Sequence, residues 1–87
     1  MYRVVLTNRA SKGLKKAPGH ARKRFIEALD ALQQSFAPVK LFDVKKLKGY
    51  EDTFRIRIGE WRMLYEFRRK EDTIVVFEIG PRGRIDY

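Results

Sequence analysis

The sequence contains no cysteine, a single histidine and three prolines in 87 residues, and none of its apolar runs approaches the ~20 residues that span a bilayer. Without thiols there is neither a disulfide framework nor a thiolate metal site, which fits a reducing compartment. The one imidazole, His20 beside Gly19 at a helix start, reads as a capping or exposed residue. It also rules out a serine–histidine pair, because Ser11 and Ser35 fall on segments read as helical with no histidine placed to activate them. The carboxylates are interspersed with lysines rather than gathered at ligand spacing, so no metal and no small-molecule cofactor is expected. The stretch "GPRGR" has glycines but not the strand, loop and helix of a phosphate-binding fingerprint. The opening "MYRVVLTNRASK" lacks the apolar stretch of a signal peptide, and the expectation is one cytoplasmic domain over residues 1–87 with no membrane partner.

Negative charge is also scarce. Eleven Asp and Glu stand against twenty Lys and Arg, a formal charge of +9, with cations running from Arg3 to Arg84. Such a field attracts polyanions by counterion release, which puts nucleic acid first among partner classes and an acidic protein next.

Organisation follows from apolar spacing. "YRVVLT" is short, β-branched and apolar and predicts a first strand. Asn8 can cap the next segment, where Ala10, Leu14 and Ala17 recur at helical spacing, Gly13 weakens the helix and Pro18-Gly19 stops it. Phe25, Leu29, Leu32 and Phe36 then recur at four, three and four residues, an amphipathic helix ended by Ala37-Pro38. "VKLFDVKKLKGYED" reads as a partly buried connection anchored by Leu41, Phe42, Val44 and Leu47. "FRIRIGEWRMLYEF" is a hairpin, since glycine at the first position of a two-residue loop suits a type II′ turn. "TIVVFEIG", almost continuously apolar, is a further strand with a central place in the sheet. The order β-α-α-β-β-β predicts an α+β fold in which two N-terminal helices pack on one face of a mostly antiparallel, twisted sheet.

The hairpin has two unlike faces. Pairing Ile58 with Trp61 puts Phe54, Ile56, Ile58, Trp61, Met63 and Tyr65 on one side, to pack on the second helix. Arg55, Arg57 and Arg62 fall on the other, with no carboxylate on that face before Glu66. Like charges directly opposed on a sheet destabilise it, so the pattern either solubilises an exposed face or serves an anion. In the second reading, which the one-signed charge of the face favours, Arg82 joins from the end of the last strand and the arginines form a phosphate site, because guanidinium matches phosphate oxygens bidentately and never loses its charge. For an RNA phosphate a metal-free reaction is open, in which the ribose 2′-hydroxyl attacks its own phosphodiester. The protein then aligns the groups and stabilises charge, with Tyr87 placed to stack on a base or donate a proton. Arginine cannot be the base.

"LKGYEDTFRIRIGEWRMLYEF" followed by "IVVFEIGPRGRIDY" resembles the RelE/ParE superfamily of type II toxins over essentially the whole chain, most closely archaeal RelE-like members. "LKG", "FRIRIG" and "WRMLYEF" are its most specific parts. The resemblance implies a RelE-like fold and cleavage of messenger RNA in the ribosomal A site by 2′-hydroxyl attack, leaving a cyclic phosphate. It implies Arg62 and Arg82 as phosphate and transition-state contacts and Tyr87 as the residue that stacks on or orients the nucleotide. Arg55 and Arg57 stand at strand positions where well-studied bacterial members carry lysines, one of them proposed as the base, so charge is kept and the capacity to deprotonate is lost. The spacing from Arg82 to Tyr87 also departs slightly from the bacterial pattern. Lys45, Lys46, Lys48 and Arg84 are the further cations assigned to RNA or the ribosome. The implied partners are a cognate RelB-like antitoxin, the ribosome and messenger RNA. Two other readings of the same fold are a ParE-like inhibitor of DNA gyrase and a nucleic-acid-binding domain without catalysis.

Overall fold

The computed structural model describes residues 1–83. In chain order the elements are β1 (Arg3–Leu6), α1 (Asn8–Lys16), α2 (Gly19–Leu32), β2 (Asp43–Lys46), β3 (Thr53–Ile58), β4 (Trp61–Arg68) and β5 (Thr73–Pro81), with a 3-10 turn at Arg69–Glu71. The sheet order is β1-β5-β4-β3-β2, with β1 parallel to β5 and every other pair antiparallel. The α+β arrangement is the one expected, with one strand more. β2 forms inside the stretch read as a connection, because Asp43 to Lys46 pair with Arg57 to Phe54 and cover an edge of β3 that would otherwise stay open.

The hairpin register is as predicted at every pair from Phe54–Tyr65 to Ile58–Trp61. Gly59 has φ +58° while Glu60 does not enter positive φ, the signature of a type II′ turn. Phe54, Ile56, Met63 and Tyr65 are accordingly buried against Phe25, Ala28 and Leu32 of α2, with Leu29, Phe36, Ile58 and Trp61 around them. Burying a large apolar side chain contributes roughly 2 kcal/mol, so this parity is strongly enforced.

Both helices differ from expectation in detail. The cap of α1 is Thr7 rather than Asn8: the Thr7 hydroxyl accepts the Ala10 N–H at 3.1 Å. α2 ends at Leu32, four residues before Phe36. Tertiary partners claim the carbonyls that follow: Tyr2 N–H donates to Gln33 at 2.8 Å and the Tyr65 hydroxyl to Phe36 at 2.8 Å. Phe36 still serves the core, stacked on Phe67 with centroids 4.7 Å apart. Leu41, predicted as an anchor, is 61% exposed, while Leu47 is buried.

β1 stops at Leu6, opposite Val76, and α1 runs along the part of the β5 edge that β1 does not reach. Thr7 makes the corner, donating its N–H to Val76 and its hydroxyl to Phe77. At Gly13 the helix comes so close that a Cβ would overlap the carbonyl oxygen of Ile79. At the other end of the sheet, Arg69 donates to both carboxylate oxygens of Asp52, at 2.8 and 3.0 Å, and lies over the rings of Phe67 and Phe36. Arg69 thereby holds the Asp52 carboxyl below its ordinary value of 3.8. The pair ties the turn before β3 to the turn after β4.

Two outcomes are expected. Gly13→Ala would stabilise an isolated helix by about 1 kcal/mol, but here the overlap should reverse the sign and cost about 1–3 kcal/mol in chemical denaturation; a stabilised variant would contradict the close approach. Burial pushes the Tyr65 phenol above its ordinary value of 10.0. Stability should therefore be complete below about pH 10 and decline above it, as the unfolded chain ionises and the folded one does not. Tyr65→Phe should remove that part of the alkaline decline, read by thermal melts across pH, while losing about 1 kcal/mol for the hydrogen bond.

Candidate phosphate site

The face of the sheet away from the helices is organised in two cross-strand rows. The first is Asp43, Arg57, Arg62 and Gly80 on β2, β3, β4 and β5; the second is Lys45, Arg55, Leu64 and Glu78. Arg55, Arg57 and Arg62 therefore do share one face, as the alternation predicted. Gly80 puts no side chain beside Arg62, and β5 runs on from there to Arg82, whose backbone N–H donates to the Glu60 carbonyl at 2.7 Å. Arg82 is exposed and Arg62 buried, both at the hairpin-turn end of the sheet.

Two carboxylates that sequence spacing did not place on this face change its electrostatics. Asp43 accepts a hydrogen bond from Arg55 Nη2 through Oδ1 at 2.9 Å and forms an ion pair with Arg57, whose Nε lies 2.8 Å from Oδ2. Glu78, at the end of the second row, pairs with Arg9 of α1. The expected run of uncompensated cations is thus partly neutralised. Register is the reason: Asp43 reaches Arg57 only because β2 pairs with β3, in a stretch whose sequence pattern alone reads as a connection.

The four arginines are consequently not equivalent. Arg55 has a side chain only 12% exposed, lies opposite the buried Leu64, and keeps an Nε–H with no acceptor among the described residues. It covers apolar sheet and props Asp43. Arg57 is half exposed; Asp43 takes its Nε, which leaves both terminal nitrogens of the guanidinium for a ligand. Arg62 is 6% exposed and has no carboxylate partner among the described residues; its Nη1 donates to the carbonyls of Gly59 and Trp61 at 3.0 and 3.1 Å. A buried cation held by carbonyl dipoles alone remains undercompensated.

The lysines divide as well. Lys45 lies in the second row, next to Arg55. Lys46 is opposite Phe54 and so has the opposite parity, and Lys48 sits in the turn beyond β2; both are exposed. Arg84 and Tyr87 lie outside the described residues. The chemistry available is the recognition of an anion by Arg62, Arg82 and the outer edge of Arg57. Asp43 is the site residue that sequence reasoning missed; the signal that could have found it is its place in "FDVKK", an alternating segment long enough to pair with β3.

Comparison with known proteins gives a consistent picture. A family model described as "ParE toxin of type II toxin-antitoxin system, parDE" matches residues 4–86. Toxin RelE3 of Methanocaldococcus jannaschii is 38% identical over 87 residues, covering 98% of this chain and 97% of that protein. Among solved structures, the archaeal RelE–RelB complex from Pyrococcus horikoshii superposes with a TM-score of 0.82 at 35% identity, covering 97% and 98% of the two chains. The RelB–RelE antitoxin–toxin complex from Methanococcus jannaschii gives 0.79 at 33% identity, covering 91% of each.

Removing the Asp43 charge should free Arg57 and Arg55 for an external anion. We expect Asp43→Asn to bind tripolyphosphate about two- to fivefold more tightly at low salt, the range of an exposed ion pair, measured by calorimetry. Arg57→Ala should cancel the gain in that background, and equal affinities for parent and Asp43→Asn would show that Asp43 does not compensate the site.

Proposed function

Because the chain belongs to the RelE/ParE superfamily of type II toxin-antitoxin toxins, we propose that it is a ribosome-dependent endoribonuclease that cleaves messenger RNA in the A site without a metal ion. The observation that carries the reading is the contrast among the arginines. Arg55 and Arg57 are tied to Asp43, whereas Arg62 and Arg82 have no carboxylate partner among the described residues and stand at the same end of the sheet. These are the two positions that the family resemblance assigns to the phosphate.

In the reaction, the ribose 2′-hydroxyl gives up its proton and its oxygen bonds to the adjacent phosphorus. The bond to the 5′-oxygen of the next nucleotide breaks, and that oxygen leaves with a proton. The products are a 2′,3′-cyclic phosphate and a 5′-hydroxyl. Arg62 and Arg82 stabilise the charge that develops on the phosphoryl oxygens, Arg57 contacts a flanking phosphate, and Tyr87 stacks on or orients the nucleotide. Lys45, Lys46, Lys48 and Arg84 contribute to the affinity for RNA and ribosome. No arginine acts as base, so rate depends on the ribosome holding the message in an aligned geometry, which alone is worth about 7 kcal/mol or more.

A cognate RelB-like antitoxin is the regulatory partner in this reading, as RelB is in the Pyrococcus and Methanococcus complexes. An acidic, partly disordered segment could neutralise the cationic face. Val39 and Leu41, 65% and 61% exposed, line an apolar groove with Ala31 and Pro38 that suits the apolar part of such a segment. The ParE description of the matching family model favours a second reading, inhibition of DNA gyrase on the same fold.

The test is expression in a translation extract with mapping of RNA ends. Cuts are expected on translated message only, reduced about 100-fold or more by Arg82→Ala or Arg62→Ala, as for loss of one donor to a developing oxyanion. Arg82 is exposed, so its variant should keep the parent's melting temperature. Undiminished cleavage by both variants would remove the site assignment, and arrested gyrase supercoiling without RNA cleavage would establish the second reading.

A further inference from the structure

Most of the net positive charge of this protein lies away from the candidate phosphate site. Residues 1–26 hold eight of the twenty Lys and Arg and none of the eleven Asp and Glu, so the remaining 61 residues are nearly balanced. Among the described residues every ion pair uses an arginine, and the lysines are left without carboxylate partners. The surface that draws a polyanion is therefore formed by α1 and its neighbours.

On α1, Arg9, Lys12 and Lys16 recur at three and four residues and share one side of the helix, all exposed. The apolar side, with Ala10 and Leu14, faces the core. Gly13 lets the helix lie against the Ile79 backbone, and Arg9 reaches Glu78, so the basic row borders β5 beside a shallow recess shared with Glu78 and Ile79. The next residue of β5 is Gly80, directly opposite Arg62. The row is thus continuous with the site, one strand away.

We propose that Lys12 and Lys16, together with the outer edge of the Glu78-paired Arg9, form a docking surface for the phosphate backbone of base-paired RNA, separate from the groups that act on the cleaved linkage; the proposal rests on the RNA reading above. The row spans about 10 Å of helix, long enough to meet neighbouring phosphates of a duplex, whose backbone is a dense and regular line of negative charge. Lysine, a flexible point charge, suits sequence-independent contacts of this kind. An acidic protein segment would need apolar anchors too. The exposed large apolar side chains, Val5, Ile26, Val39, Leu41 and Tyr50 together with Met1, all lie off α1.

The experiment measures binding of a 20-base-pair RNA duplex as salt is varied. Lys12→Gln with Lys16→Gln should lower the slope of log K against log salt by about 1.5 and weaken binding about 30-fold at 0.1 M salt. The same charge loss at Lys40→Gln with Lys70→Gln should leave the slope unchanged. Equal slopes for the row variant and the parent would overturn the proposal, as would equal weakening by the two double variants. Poly-L-glutamate is the competing probe: if it loses affinity in the row variant while the duplex does not, the surface serves an acidic protein and the proposal fails. Cleavage of translated message is read in parallel. Its absence from the parent, with a slope that depends on the row, would end the nuclease reading alone.

Discussion

Gly59 at φ +58° sets the register of the β3–β4 hairpin, and that register is the constraint on which the site depends. A slip of one residue would send Phe54, Ile56, Met63 and Tyr65 to the outer face and Arg55, Arg57 and Arg62 into the helices. The cost would be the whole apolar core of the hairpin together with three unpaired cations. The same turn supplies the Gly59 and Trp61 carbonyls that hold Arg62 and the Glu60 carbonyl that fixes the start of the Arg82 segment. Core and site are therefore two consequences of one alternation.

Charge is distributed with more discrimination than composition suggests. Carboxylates are spent on arginines that must be held: Asp52 on Arg69, Glu66 on Arg68, Glu78 on Arg9, and Asp43 on Arg55 and Arg57 together. Arg62 receives only carbonyls, and its burial keeps the surrounding dielectric low. A guanidinium fixed in this way by backbone carbonyls is preorganised, the property on which the proposed stabilisation of a charged transition state would rely. The solvated lysines supply long-range attraction, which salt screens, while the buried arginine supplies a short-range contact, which salt screens far less.

Local signals carried most of the fold. Alternation in "FRIRIGEWRMLYEF" with one glycine was enough for the hairpin and its pairing, and four apolar residues at helical spacing were enough for α2. Signals failed where long-range partners decided. The α2 terminus is set by Tyr2 and Tyr65, which take the carbonyls of Gln33 and Phe36, and neither lies near the helix in sequence. Gly13 looked like a weakness in α1 because helix propensity describes an isolated segment; its use is the close approach to Ile79, 66 residues later.

What the sequence determined alone was parity: which side chains share a face is fixed by a period of two once a turn is placed, without reference to the rest of the chain. Only the tertiary structure decided which charges on that face remain available. Coulomb energy depends on distances between strands, and Asp43, 12 residues before Arg55 in the chain, comes within 2.9 Å of it only when β2 pairs with β3. The arginines were legible in the order of residues, and their compensation arose from the folding of the sheet.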